Sequence, residues 1–337
     1  MFKKVSRMLL GSIAVAAILW LVTALLLIFW PEPRFTRPGA EVIGKNVLTR
    51  QPPDDVSMAV LFRMQDGVLL NSRWFSSDSR VIVLFLHGIM GSSQSCAETC
   101  RRIREMTGAQ AVALDLRGHG KSGGIPGDIR YVGQYEDDVA DVIMELQKRK
   151  PGCRIVLAGH SMGGGIALRY AASLKLPSAD GYLLFAPHLG SKSPTARSAL
   201  AGGEKASSEE VMKLDLPRTI GLVMLNTIRI PWLNARHTLF FNVPPQSLIH
   251  AYTYRAMVSM APTDFVAALR ADTKPLLVIV GSKDEAFNAE QFAPVIRMHE
   301  NGKTVVVDGE SHNSILRSSA AFEAVTLWLK HIQALSD

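Results

Sequence analysis

The chain has 337 residues, of which 47% are hydrophobic and 20% charged, and it carries a formal net charge of +7. This composition can bury a sizeable core and excludes a disordered protein, while the length suits one large domain with an accessory segment. No block of lysine and arginine is dense enough to indicate nucleic-acid binding, so no nucleic-acid partner is expected. Either the positive charge is scattered over the solvated surface, or it attracts the protein toward anionic lipid headgroups.

Residues 1–30 predict an N-terminal transmembrane anchor. Residues 8–30 contain no charged side chain, and as a helix they span about 34 Å, enough for the hydrocarbon core of a bilayer. Lys3, Lys4 and Arg7 precede this run, so a cleaved signal peptide is the alternative. The run is longer than a signal-peptide core and lacks a small-residue cleavage site, which favours an uncleaved anchor. The short basic tail predicts a single-pass protein whose large domain lies on the extracytoplasmic, periplasmic side.

The three cysteines give no sign of a disulfide framework or a metal site. Cys96 and Cys100 are four residues apart on a predicted helix, a spacing that rarely forms an unstrained disulfide. Cys153 would then be left without a partner. We therefore expect no structural disulfide and no metal.

Residues 31–56 are rich in proline and lack periodicity, which predicts a linker. Beyond it, residues 58–62 and 68–75 flank a turn around Gly67 and predict a β-hairpin. Six further short apolar runs have strand length and lie at 81–86, 111–114, 155–158, 182–185, 276–280 and 304–307.

Segments long enough for helices separate most of these runs, at 97–106, 131–150, 163–174 and 288–298. A final helix carries an apolar stripe through Phe322, Val325 and Leu329. Strands that alternate with helices predict an α/β fold, with a mostly parallel eight-stranded sheet covered by helices on both faces.

One connection is far longer than the others. Residues 188–272 follow the sixth predicted strand, and their length exceeds what a strand-to-helix connection requires. We interpret this segment as a helical cap that divides the core into residues 57–187 and 273–337. Helical pieces are expected at 209–214 and 248–260, and apolar turns at 231–233 and 239–241.

A candidate nucleophile lies between a predicted strand and a predicted helix. Gly159 to Gly163 form the pattern G-x-S-x-G around Ser161. In this context the pattern is typical of a nucleophile elbow, in which a strained turn presents the serine hydroxyl above the sheet. A plain strand-to-helix turn is the alternative interpretation.

A serine nucleophile needs a base and an acid that orients the base. Asp284 follows the predicted strand at 276–280, and His312 follows the one at 304–307, so both are expected at the carboxyl edge of the sheet. The order Ser161, Asp284, His312 is the order found in α/β-hydrolases. Glu285 and Glu310 are the alternative acids.

An oxyanion formed at the substrate requires two amide donors. Met162 directly follows the candidate nucleophile, and Ile89 lies in the loop after the third predicted strand, beside Gly88. We expect the backbone amides of Ile89 and Met162 to form the oxyanion hole, while His87 holds the loop in place.

These segments together resemble an α/β-hydrolase of the monoacylglycerol lipase and lysophospholipase branch, also described as serine aminopeptidase-like. The resemblance rests on the residues named above and on the loop Asp115–Ser122, and it extends over residues 57–335. It implies hydrolysis of esters of monoacyl lipids or small esters, with no metal and no organic cofactor.

The sequence therefore predicts a membrane-anchored serine hydrolase that cleaves carboxylic esters of lipids, of the lysophospholipase, monoacylglycerol lipase or phospholipase A type. The alternatives are a peptidase or amidase on small peptides, a carboxylesterase of small esters, or an inactive scaffold. Trp232, Phe240 and Phe241 are candidates to bind the substrate, or they form the cap's own core. The expected partners are the lipid or small ester, the membrane and, in addition, a second copy in a homodimer.

Overall fold

The computed structural model describes residues 2–35, 57–197 and 211–334. Most of the predicted linker, residues 36–56, lies outside this part of the chain. The strands are β1 (Met58–Arg63), β2 (Leu69–Phe75), β3 (Val81–Leu86), β4 (Gln110–Leu114), β5 (Arg154–His160), β6 (Gly181–Phe185), β7 (Met212–Leu214), β8 (His237–Phe241), β9 (Ala251–Thr253), β10 (Leu276–Gly281) and β11 (Gly302–Val307). The α-helices are α1 (Phe2–Ile28), α2 (Ala97–Thr107), α3 (Gln134–Arg149), α4 (Met162–Ala171), α5 (Leu216–Thr227), α6 (Tyr254–Val258), α7 (Phe265–Ala271), α8 (Phe292–Ile296) and α9 (Ser319–Ala334).

The main sheet has eight strands in the order β1-β2-β4-β3-β5-β6-β10-β11. Strand β2 is antiparallel to both of its neighbours, and every other pair is parallel. The prediction of a mostly parallel eight-stranded sheet is therefore confirmed. Because the parallel strands share a direction, the carboxyl ends of β3, β5, β10 and β11 meet at one edge, where their following loops can form a site.

Both faces of the sheet are buried, as the side chains of β3 show. Ile82, Leu84 and Leu86 belong to one apolar cluster with residues of α3 and α4. Val81, Val83 and Phe85 belong to a second cluster with residues of α2 and α9. Successive residues of a strand point to opposite faces, so a continuous apolar run is what a sheet covered on both sides requires.

The predicted helix at 288–298 differs from the structure. It begins as a 3₁₀ turn at Ala289–Gln291, and the α-helix α8 covers only Phe292–Ile296. Pro294 has no backbone N–H and is tolerated only in the first turn of a helix. The α-helix consequently starts just before this proline.

The segment between β6 and β10, called the insertion below, mixes strands and helices. Strands β7, β8 and β9 form an antiparallel sheet of their own, and α5, α6 and α7 accompany it. The prediction of a helix at 209–214 is wrong at Met212–Leu214, which form β7. The single helix predicted at 248–260 is instead divided between β9 and α6. The turn expected at 239–241 lies within β8. These strands form through pairing with one another, which the pattern within a single segment does not report.

Helix α1 contains one stretch, Leu10–Ile28, that is long and apolar enough to cross a membrane, with a mean hydropathy of 2.5. A signal sequence near the N-terminus can also satisfy this criterion of length and hydropathy. The last turns of α1 pack against α5, where Ala24 and Ile28 are buried with Leu222 and Leu225. The N-terminal helix is therefore in direct contact with the insertion.

Candidate active site

Ser161 is the single residue between β5 and α4. Its φ angle is +51°, a left-handed conformation that costs free energy for any residue other than glycine. The flanking glycines are required by close packing, because a Cβ on Gly159 would lie 2.4 Å from the carbonyl carbon of Gly163. A Cβ on Gly163 would lie 2.2 Å from the carbonyl oxygen of Leu86. The turn is thus strained and tightly supported, as a nucleophile elbow requires.

His312 and Asp284 lie side by side in the loops that follow β11 and β10. Nδ1 of His312 is 2.8 Å from Oδ2 of Asp284, and both side chains are buried. An ionised carboxylate only accepts hydrogen bonds, so Nδ1 carries the proton and Nε2 is left with its lone pair. In this tautomer the imidazole can act as a base through Nε2.

The serine turn and the histidine loop meet through His160, the last residue of β5. Its ring centroid lies 4.6 Å from that of His312, and its Nε2 donates to the backbone oxygen of His312 at 2.9 Å. The loop after β3 approaches from the other side, where a Cβ on Gly88 would lie 3.5 Å from Cβ of Ser161. The structure therefore brings all three predicted triad residues and the predicted oxyanion loop to one edge of the sheet.

The two alternative acids contact other groups. Oε2 of Glu285 accepts the backbone N–H of His312 at 2.9 Å, and Oε2 of Glu310 accepts the hydroxyl of Ser314. Of the three candidate acids, Asp284 is the one whose carboxylate is bonded to the imidazole. Glu285 instead fixes the backbone on which the imidazole is mounted.

His87 holds the predicted oxyanion loop, which follows β3 and contains Gly88 and Ile89, against the end of the neighbouring strand β4. Its Nδ1 donates to the carbonyl of Gly88 at 2.8 Å, and its Nε2 accepts the amide of Leu116 at 3.2 Å. Burial lowers the pKa of His87, so the ring is neutral and can be donor and acceptor at once. This arrangement supports the structural role that the sequence suggests for His87.

Some backbone amides in and near this loop have a hydrogen-bond partner within the protein, and others do not. The amide of Met90 donates to the Tyr252 hydroxyl at 3.0 Å. Along the part of the chain that the structure describes, the amides of Ile89 and Met162 have no hydrogen bond within the protein. The two predicted oxyanion donors are therefore free of partners within the protein, and their binding of an anion stays a prediction.

Tyr252 and His119 form a support for the oxyanion loop that the sequence does not predict. His119 Nδ1 donates to the carbonyl of Arg117 at 2.8 Å, and its Nε2 lies 2.7 Å from the Tyr252 hydroxyl. Burial lowers the pKa of His119 to about 3, so Nε2 accepts and the tyrosine O–H donates. His119 lies in the Asp115–Ser122 motif, which could have indicated it, whereas Tyr252 comes from the insertion and has no local signal.

Two more histidines near His312 are buried and neutral. Burial, followed by the proximity of His312, lowers the pKa of His160 to about 3 and that of His188 to about 4. Both rings therefore act as packing and hydrogen-bonding groups at ordinary pH. Among the described residues, no group of three or more histidine, cysteine or acidic side chains is placed to hold a metal ion.

The three predicted substrate-binding residues occupy different environments. Phe241 is buried and packs edge-on against Tyr252, with ring centroids 5.4 Å apart. Phe240 is half-buried and lies under the guanidinium of Arg218. Trp232 is 84% exposed in the turn after α5. Phe240 and Phe241 point to opposite faces of β8, so the three side chains do not line one surface, and their contact with substrate stays a prediction.

Comparison with known proteins identifies the family. Residues 77–313 match the sequence model described as serine aminopeptidase, S33. This match covers more than half of the chain. The chain belongs to the S33 serine aminopeptidase family. It is accordingly an α/β-hydrolase, and the proteins similar to it include esterases and lipases.

Two similar sequences and one similar structure show the range of proteins that this chain resembles. The 2-(acetamidomethylene)succinate hydrolase of Mesorhizobium japonicum is 27% identical over 73% of this chain and 85% of its own length. The monoacylglycerol lipase of Mycolicibacterium smegmatis is 31% identical over 28% of this chain, and the match spans only 34% of that lipase. A solved structure of a membrane phospholipase A superimposes with a TM-score of 0.57 at 19% identity, covering 99% of both chains. At that identity the superposition shows a shared fold.

Proposed function

We propose that this protein is a membrane-anchored serine hydrolase that cleaves carboxylic esters of lipids. The observation that carries the proposal is the bond of 2.8 Å between His312 and Asp284, at the strand ends beside the strained Ser161. A solvated surface histidine would need neither a buried carboxylate partner nor a neighbouring residue with a positive φ angle.

The proposed reaction follows from the positions of the polar groups. Ser161 attacks the ester carbonyl while Nε2 of His312 takes the hydroxyl proton. Asp284 keeps the imidazole in the required tautomer, and the amides of Ile89 and Met162 stabilise the oxyanion. The protonated His312 then donates its proton to the leaving alcohol. Water, activated by the same imidazole, hydrolyses the acyl-enzyme and restores Ser161.

Lipid esters are favoured as substrates because of the N-terminal helix and the relatives. The apolar span Leu10–Ile28 would hold the enzyme at a bilayer. A monoacylglycerol lipase and a membrane phospholipase A are among the similar proteins. Lys3, Lys4 and Arg7, which precede the apolar span, favour an orientation with the catalytic domain on the periplasmic side.

The proposal can be tested on the purified full-length protein. A fluorophosphonate probe should label the wild-type chain and fail to label Ser161→Ala, which should also lose about 10⁶ in kcat. A panel of p-nitrophenyl esters with acyl chains of graded length, followed by lysophospholipid and monoacylglycerol, should show turnover that increases toward the lipids. Labelling of the alanine variant at the wild-type level would remove Ser161 from the mechanism.

Hydrolysis of peptide or amide bonds is the second candidate, because the family model is that of a serine aminopeptidase. The same serine, histidine and aspartate could perform either reaction. Aminoacyl p-nitroanilides, assayed beside the esters at equal concentration, distinguish the two. A higher kcat/KM on the anilides would replace the lipid esterase with a peptidase.

A further inference from the structure

Helices α1 and α5 pack with their backbones in direct contact. Gly221 of α5 faces Ala24 and Ile28 of α1, and a Cβ on Gly221 would lie 2.5 Å from the carbonyl oxygen of Ala24 and 2.8 Å from Cγ1 of Ile28. Ala24 and Ile28 are fully buried in an apolar cluster with Leu222 and Leu225 of α5. A glycine opposite an alanine permits this close approach.

Hydrogen bonds fix the place where the two helices meet. The guanidinium of Arg218 donates to the carbonyls of Ile28 at 3.0 Å and Trp30 at 3.2 Å, at the end of α1. One turn further along α5, Gly221 lies against Ala24 and Ile28. These contacts place the first turns of α5 against the last turn of the apolar span.

This contact sets the depth of α5 relative to a membrane. Ala24 precedes Ile28, the last residue of the apolar span, by four residues, which is about 6 Å along a helix. Amphipathic helices that lie in the membrane interface are immersed by about 5–10 Å. If α1 crosses a bilayer, α5 is held at the boundary between headgroups and acyl chains.

The side of α5 that faces away from α1 is apolar and exposed. We call this surface the outer patch: Leu216, Ile220, Val223, Ile228 and Trp232, whose exposed fractions run from 45% to 84%. Leu216, Ile220 and Val223 recur at helical spacing, so they lie along one face. An exposed apolar surface of this kind marks an interaction site. A tryptophan at its end, with the exposed Arg229 beside it, is typical of a surface that meets lipid headgroups.

We propose that the outer patch inserts into the lipid bilayer, so that α1 and α5 form one membrane element made of a crossing helix and an interfacial helix. The proposal rests on the membrane anchoring proposed above. The bilayer is favoured as occupant because the patch continues directly from the apolar span on which α5 is packed. The insertion would then lie on the membrane surface.

The element also connects to the oxyanion loop. Tyr254 of α6 belongs to the same cluster as Ala24 and Ile28. It lies two residues after Tyr252, whose hydroxyl accepts the amide of Met90. The membrane element and the tyrosine that holds the oxyanion loop are therefore two residues apart along the chain.

Fluorescence quenching in vesicles tests the proposal on the full-length chain. Cys153 is replaced by serine, the buried Cys96 and Cys100 are kept, and a single cysteine is introduced by Ile220→Cys for labelling with NBD. The matched control is Leu174→Cys, a position that is 86% exposed just beyond α4. In phosphatidylcholine vesicles with doxyl-labelled lipid, the NBD at position 220 should lose most of its fluorescence and shift to the blue. At position 174 it should be quenched by aqueous iodide alone.

The outcomes separate this proposal from its alternatives. Quenching of position 220 by iodide and not by doxyl lipid would overturn it. Protection of position 220 in nanodiscs that hold two chains, lost in nanodiscs that hold one, would show instead that the patch binds a second copy. The measurement is repeated in Ser161→Ala, because lipid contact does not require turnover. Lipid quenching without hydrolysis in the wild type would refute the proposed function alone, and hydrolysis without lipid quenching would refute this inference alone.

Discussion

The carboxylate of Asp284 is bonded on both sides, by the imidazole of His312 and by its own loop. Oδ2 accepts Nδ1 of His312 at 2.8 Å, while Oδ1 accepts the amides of Ala286 and Phe287, each at 2.8 Å. A carboxylate fixed in this way cannot rotate without breaking two bonds to the backbone. It therefore holds the imidazole in one orientation, which is what a base acting repeatedly on the same hydroxyl needs.

Replacement of this carboxylate gives the first prediction. Asp284→Asn should lower kcat by about 10⁴, because an amide in contact with His312 favours the wrong tautomer. Glu285→Gln is the matched control and should change kcat little, since the amide oxygen can still accept the backbone N–H of His312. Steady-state kinetics on a short p-nitrophenyl ester measures both variants. The reverse order of effects would move the role of the acid from Asp284 to Glu285.

A second prediction concerns the support of the oxyanion loop. Tyr252→Phe leaves the amide of Met90 and Nε2 of His119 without partners, which should cost about 1–3 kcal/mol of stability for each buried group. It should also lower kcat more than it raises KM, because the loop loses a contact that positions the oxyanion donors. Tyr131→Phe is the control, since that hydroxyl bonds Asp137 at the surface.

Thermal unfolding and steady-state kinetics distinguish the two tyrosines. If Tyr252→Phe unfolds at a lower temperature but keeps the wild-type kcat, the tyrosine stabilises the fold without positioning the loop. If Tyr131→Phe lowers the unfolding temperature and kcat as strongly, the effect is not specific to the Tyr252 hydroxyl.

The sequence anticipates the core strands and the positions of the three triad candidates because both depend on local patterns. An apolar run of strand length followed by a loop locates Asp284 and His312, and the strand-turn-helix pattern locates Ser161. The insertion is less predictable, since its three strands are stabilised by pairing with one another and not by local propensity. The structural roles of Tyr252 and Arg218 depend on contacts with residues more than a hundred positions away in the chain. No periodicity in the sequence encodes such contacts.

The buried histidines predict that the fold is sensitive to acid. Burial lowers the pKa of His119 and His160 to about 3 and that of His188 to about 4. In the unfolded chain these rings take up protons below about pH 6.5, while in the folded protein they remain neutral until much lower pH. The unfolded state therefore binds more protons between pH 6.5 and 4. Each ring should lower the free energy of unfolding by up to about 1.4 kcal/mol per pH unit as the pH falls.

Urea unfolding at pH 7.5, 6.0 and 5.0 measures this dependence. His188→Gln should reduce the slope of free energy against pH, because one of the titrating rings has been removed. A free energy of unfolding that stays constant from pH 7.5 to 5.0 would contradict the buried neutral state of these rings.

The contact between α1 and α5 predicts that two isoleucines of the same apolar helix differ in their effect on stability. Ile28 is fully buried against α5, whereas Ile13 is 59% exposed on the part of α1 that would face lipid. Ile28→Ala should therefore cost about 2–5 kcal/mol, the range for a large-to-small change in a packed core. Ile13→Ala removes the same atoms from a lipid-facing position and should leave the unfolding of the domain unchanged. Thermal unfolding of the full-length protein in detergent micelles compares the two, with hydrolysis of a water-soluble ester as a second measurement. Equal, small effects would mean that α1 is a tether alone and that α5 keeps its place without it.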